Sequence, residues 1–167
     1  MHTDPVPCLI LACGNALRAD DGIGPHLAQW AAEHWRGDPR IRVLSRLQWT
    51  PELAVDIAAA QTVLFLDSSV DAAPGSVALR PVQPAAPQSA LATHHIGAPE
   101  LLALARDLYN AAPQTALLLT VGAASLELRE SLSAIAQAAL PRATALLQST
   151  VNNLFDASET SRMPQSA

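Results

Sequence analysis

The sequence predicts an α/β fold: a three-layer sandwich in which a twisted, mostly parallel sheet of five strands carries helices on both faces. Short apolar runs suited to buried strands recur along the chain, as in Pro7–Cys13, Ile41–Leu47, Thr62–Leu66 and Gln114–Val121. Segments with apolar residues at helical spacing alternate with them, the pattern of parallel strands covered on both sides. The chain is long and apolar enough for one domain, with 167 residues, 50% of them hydrophobic and 15% charged. That composition excludes a disordered chain.

The first strand, Pro7–Cys13, is a continuous apolar run stopped by Gly14-Asn15. A helix follows over Gly22–Trp35, with Ile23, Leu27, Trp30, Ala31 and His34 on one face, and Gly37-Asp38-Pro39 ends it. This places His34 in the core and His26 at the border of the functional crevice. Ile41–Leu47 is the second strand. Thr50 reads as the N-cap, with Pro51 at the first helical position, of a helix that buries Leu53, Ile57 and Ala60.

Thr62–Leu66 is the clearest strand, closed by Asp67. Pro74-Gly75 then turns the chain into a weaker strand, Ser76–Arg80, and Pro81–Thr93, with three prolines, reads as a surface loop. Leu101, Leu102, Ala105, Leu108 and Tyr109 mark a third helix, and Gln114–Val121 is the last strand. From Ser133 the pattern is helical to about Phe155, with a bend or break expected near Pro141. Residues 1–155 are expected to form a single domain and 156–167 a flexible tail.

Charge and cysteine usage exclude several classes. Ten cations against fifteen anions give a net charge of −5, which excludes a basic nucleic-acid binder. All ten cations are arginine. The longest apolar runs, Cys8–Cys13 and Thr115–Ala124, fall short of the roughly 20 residues a bilayer requires, so no membrane partner is expected. The first apolar run lacks the cationic prelude of a secretory signal, and a cytoplasmic location is expected. Cys8 and Cys13, five residues apart in one strand, can neither close a disulfide nor form a zinc signature. Both are expected as reduced, buried thiols.

In a parallel sheet the functional crevice lies beyond the carboxyl ends of the strands, so chemistry is expected after Cys13, Leu47, Leu66 and Val121. The loop after the first strand runs Gly14-Asn15-Ala16-Leu17-Arg18-Ala19-Asp20-Asp21-Gly22-Ile23-Gly24. Its acidic pair either complements a helix dipole or supplies functional carboxylates. Two carboxylates exclude a phosphate cradle. Asp67 emerges from an apolar run and is costly to bury, so it reaches the crevice or starts a turn before Ser68-Ser69. His94 and His95 are metal ligands, a general base or ordinary loop residues. Carboxylates with an imidazole make an O,O,N set that suits nickel or zinc better than calcium. No Gly-x-Ser-x-Gly elbow is present, which disfavours a serine hydrolase.

From about Cys8 to Leu147 the sequence resembles the hydrogenase maturation proteases, endopeptidases that process the large subunit of nickel–iron hydrogenases. Gly14–Gly24 carries the most specific match, followed by the strand ending in Asp67 and by Thr93-His94-His95-Ile96-Gly97 with Leu101-Leu102. The resemblance implies Asp21, Asp67 and His94 as the metal-contacting and catalytic set. His94 keeps the family's spacing to Gly97, and His95 is its substitute. The resemblance also implies the substrate, a large-subunit precursor with nickel already seated, from which a short C-terminal extension is removed. Nickel is then supplied by the precursor, and zinc or cadmium would serve as surrogates.

Water activation by a carboxylate and polarisation of the carbonyl by the metal are both compatible with this set. Many members have Glu where Asp21 stands, and a Gly-rich turn where this chain has Leu47-Gln48-Trp49-Thr50-Pro51-Glu52-Leu53. Asn15, Gln48, Trp49 and His95 are expected to contact substrate, although Trp49 also suits a helix staple. Glu127 and Glu130 are expected to face solvent. Asp20, Asp21, Asp67 and His94 are expected to converge at one edge of the sheet. The alternative reading is a non-catalytic chaperone that binds the same precursor. A phosphoacceptor receiver domain also has an acidic pair after strand one, but needs a lysine that this chain lacks. A monomer is expected, because helices cover both sheet faces.

Overall fold

The first apolar run forms β1 (Val6–Cys13), and Gly14 ends it at φ +140°, a conformation side chains rarely adopt. In this computed structural model residues 5–86 and 96–160 are described. A 3-10 turn, Ala19–Gly22, leads into α1 (Ile23–His34), and β2 (Ile41–Arg46) follows. A second 3-10 turn, Pro51–Leu53, opens the short α2 (Ala54–Ala58). Then come β3 (Ala60–Ser69), β4 (Val77–Pro81), α3 (Ala98–Tyr109), β5 (Thr115–Gly122) and α4 (Ala134–Thr160).

One five-stranded sheet has the order β2-β1-β3-β5-β4. All neighbours are parallel except β4, which runs antiparallel to β5. The expected mostly parallel α/β architecture is therefore the one observed. Alternation along the strands sends side chains to two separate cores. Cys8, Ile10, Ala12, Leu64, Leu66 and Leu119 meet α1 and α4 on one face. Leu9, Leu11, Val63, Phe65 and Leu118 meet α2 and α3 on the other. Both cysteines are free and buried. No helix among the described residues is long and apolar enough to cross a membrane.

The structure corrects several local expectations. Helix α4 is continuous through Pro141 and extends to Thr160. Its apolar stripe explains the continuity: Ala136, Ala139, Ala143, Leu147 and Val151 all belong to one buried core and support the helix on both sides of the proline. His34 is exposed and stacks on Trp30 at 4.6 Å instead of entering the core. Thr50 has the extended backbone of an N-cap but makes no side-chain capping bond. Strand β3 runs past Asp67 to Ser69, because β5 stays paired with it as far as Ser69↔Gly122.

Phe65 is fully buried in the α2/α3 core, whereas Leu108 is 63% exposed. Phe65→Ala is expected to cost about 3–5 kcal/mol in urea unfolding, and Leu108→Ala to stay within about 0.5 kcal/mol. Equal effects would contradict the described core.

Candidate active site

Strands β1 and β3 are paired only as far as Ala12↔Leu66, while β3 continues beside β5 with Asp67↔Thr120 and Ser68↔Val121. The chain leaves β1 at Gly14, so Asp67 sits where the sheet has lost one neighbour and opens to the crevice. The strand order places this opening where the connections diverge to opposite sides of β1, the usual ligand position in open α/β sheets.

The loop from Gly14 to Gly24 folds back over that opening. A side chain on Gly14 would place its Cβ 1.9 Å from Asp21 O, and one on Gly24 would stand 2.1 Å from Cys13 O. Both glycines therefore allow contacts that no larger residue permits. Asp21 Oδ2 accepts the Asn15 backbone N–H at 2.8 Å, and Asn15 Oδ1 accepts the N–H of Leu17 at 2.9 Å. Asn15 thus shapes the loop as well as bordering it. Ser68 Oγ lies 3.5 Å from Asp21 Oδ1, while the Ser68 N–H donates to Asp67 Oδ1 at 2.8 Å. Ser68 stands between the two carboxylates. Its signal in the sequence was only its place after Asp67.

Asp20 does not join this group. It is fully buried. Its carboxylate accepts the N–H groups of Ala124, Ser125 and Ser133 and the Ser133 hydroxyl, at 2.7 to 3.1 Å. Burial pushes its pKa up, but these bonds outweigh burial and hold it below the ordinary carboxylate value. The first acid of the motif is a clamp between the loop and the chain after β5. The stretch after Val121, expected to carry chemistry, supplies the other half of that clamp.

Asp67 has the opposite environment. Burial, reinforced by the charge of Asp21, raises its pKa to about 7 against the Ser68 N–H, which lowers it. Burial first, then Asp67 and Asp21, push the Cys13 thiol to about 12, despite a backbone bond at Trp49. Cys13 therefore stays a protonated thiol near neutrality, and its Sγ–H donates to Leu47 O at 3.7 Å.

The crevice encloses about 690 Å³. Cys13, Asp21 and Asp67 form its floor, Gln48, Trp49, Thr50 and Pro51 one wall, and Ile96, Gly97 and Glu100 another. Gln48 is exposed, and Trp49 sets its ring edge against Phe65 at 5.5 Å. Trp49 thereby both anchors the wall and faces the opening. Glu100, not anticipated from sequence, accepts the Gly97 N–H at 3.0 Å at the start of α3. His94 and His95 lie outside the described residues. His26 lines a different groove, with Leu27, Trp30 and Leu140, because its place on α1 turns it toward α4. Glu127 and Glu130 are exposed, as expected. Among the described residues no group of three or more His, Cys, Asp and Glu side chains is arranged to hold a metal.

Comparison with solved structures defines the fold. The fold matches the hydrogenase maturating endopeptidase HybD from E. coli with a TM-score of 0.67 and 22% identity, over 89% of this chain and 93% of that one. It matches a hydrogenase 2 maturation peptidase from Thaumarchaeota archaeon SCGC_AB-539-E09 with a TM-score of 0.64 and 25% identity, over 87% and 98%. A nickel–iron hydrogenase maturation protease HybD from Thermococcus kodakarensis gives a TM-score of 0.63 and 22% identity, over 87% and 99%. No protein-family model matches the sequence, and no curated protein does. The chain has the fold of the hydrogenase maturation endopeptidases, the family that its Gly14–Gly24 motif resembles.

Two outcomes follow from the contrast between the acids. Asp20→Ala leaves three backbone donors without their acceptor, and urea unfolding is expected to show a loss of about 3 kcal/mol or more; a loss below 1 kcal/mol would contradict the clamp. Asp67 is expected to titrate near pH 7 by carbon-13 NMR, and Asp21→Asn to lower that value. Because its folded pKa is raised, the folded state keeps the Asp67 proton between pH 3.8 and about 7. The contribution of this group to stability is therefore full below that window and lost as pH rises through it. Asp67→Asn should flatten that decline, and an unchanged pH profile would contradict the assignment.

Proposed function

We propose that the chain is a peptidase of hydrogenase maturation, which removes the C-terminal extension of a nickel-loaded large-subunit precursor. The observation that carries this reading is the meeting of Asp21 and Asp67 across Ser68, at the carboxyl ends of β1 and β3 in an open crevice. The fold it shares with the maturation endopeptidases supports it.

The raised pKa of Asp67 supports a cationic ligand at this site. A carboxyl destabilised in its charged form by burial and by Asp21 gains when a cation arrives. Nickel seated in the precursor is such a cation, and it enters as part of the substrate. Asp21 and Asp67 would then contact it, with His94 completing the set. The crevice next to them is wide enough for an extended segment, which Gln48, Trp49 and Asn15 would hold in register. A precursor without metal offers Asp67 no relief, so cleavage waits for loading.

The test follows the C-terminus of a nickel-loaded precursor by mass spectrometry after addition of the protein. Loss of a C-terminal peptide is expected from the loaded precursor, and none from the nickel-free form. Asp21→Asn and His94→Ala are expected to slow it by about 100-fold or more with the fold intact. A loaded precursor that is bound and never trimmed would return the chaperone reading.

A further inference from the structure

The surface around the crevice extends the peptidase reading, on which the following rests, to the body of the substrate. Seven large apolar side chains are exposed among the described residues. Five of them, Leu17, Leu47, Val70, Leu128 and Ile135, fall in the segments that follow β1, β2, β3 and β5 or open α4. The parallel strands all finish at this end, so these five lie at the end of the sheet at which the crevice opens. The other two, Leu108 and Tyr109, close α3 at the far edge. Scattered exposed leucines are ordinary, but a concentration at the end of the sheet that carries the crevice is the pattern of an interaction site.

Two of the five are held on fixed backbone. Leu128 is 87% exposed and Leu17 is 56% exposed. The Arg129 N–H donates to Leu17 O at 3.0 Å, the Ala19 N–H donates to Arg129 O at 2.8 Å, and Arg18 and Arg129 are bridge partners. This short ladder hangs from the loop that carries Asp21. Asp20 ties the same loop to Ala124, Ser125 and Ser133, on either side of Leu128. The leucines are thus presented on fixed backbone, on the loop that carries Asp21 and on the segment bonded to it, as a preorganised surface requires.

Charge narrows the occupant. Arg18 and Arg129 are exposed and make no ion pair among the described residues. Glu127 and Glu130 are exposed on the same segment, so the two arginines are local anchors within a mixed rim. Inside the opening the charge is negative, from Asp21 and Asp67. The complementary surface has a cationic centre, apolar surface around it and carboxylates placed to meet two guanidiniums. We propose that Leu17 and Leu128, flanked by Arg18 and Arg129, dock the folded body of the protein substrate, so that recognition extends beyond the segment that enters the crevice.

The test measures binding of nickel-loaded large-subunit precursor by calorimetry, with the wild type and with Asp21→Asn, which keeps the rim intact. Leu17→Glu/Leu128→Glu is expected to weaken binding about tenfold or more in either background. Leu108→Glu, at the far edge, is expected to leave it unchanged. Arg18→Ser/Arg129→Ser should flatten the salt dependence of the association rate. Circular dichroism of the rim variants is expected to match the parent, since both leucines face solvent.

Unchanged affinity in the double leucine variant overturns the docking surface, even where the wild type trims the precursor. Rim-dependent binding without trimming sinks the peptidase reading and leaves the rim in place. Binding by neither parent overturns both. A dimer that the leucine variants convert to monomer, with precursor affinity unchanged, assigns the rim to a second copy of this chain and overturns the proposal.

Discussion

The close return of the chain onto the end of β1 is the constraint on which the site depends. At Gly14 the backbone lies against the Asp21 carbonyl, and at Gly24 it lies against the Cys13 carbonyl, both nearer than any side chain permits. The eleven-residue loop between them has no room to relax outward. Its acids are therefore delivered to fixed places: Asp20 inward, where four donors saturate it, and Asp21 over the crevice, where Asn15 and Ser68 hold it. Helix α1 follows at once and seals one face of the sheet with Ile23, Leu27 and Ala31. The loop is thus part of the core at one end and part of the crevice at the other.

The same geometry sorts three carboxylates by solvation. Asp20 is buried yet stays ionised, because its hydrogen bonds outweigh burial. Asp67 is less buried, has one backbone donor, and faces Asp21, so its proton is held to near neutrality. Burial alone does not decide the charge state; the count of donors does. The clamp acid Asp20 and the crevice acid Asp21 are adjacent residues of one motif, which ties stability to the position of Asp21.

Much of this was legible from the residues. Apolar runs and helical spacing located five strands and the main helices, because strand and helix periods differ and the chain is rich in both patterns. Asp67 was legible as a polar residue that leaves an apolar run. What periodicity did not carry was pairing beyond the run: β3 extends to Ser69 only because β5 accompanies it there. Nor did it carry the roles of Asp20 and Asp21, which look alike in sequence and part company through bonds made more than a hundred positions away. Pro141 misled for a related reason. Helix α4 loses one hydrogen bond there but keeps its packed stripe, and packing decides. His26 and His34 were placed by helical spacing alone, which says nothing of which helix lies opposite.

The proposed contact of Asp21 and Asp67 with the metal that the substrate brings is central to the proposed function. Nickel K-edge X-ray absorption on loaded precursor, alone and in complex with this protein, addresses that contact without relying on cleavage. Added oxygen ligation is predicted in the wild-type complex and absent with Asp21→Ala/Asp67→Ala. Identical nickel spectra for free precursor and for a demonstrated wild-type complex would contradict it.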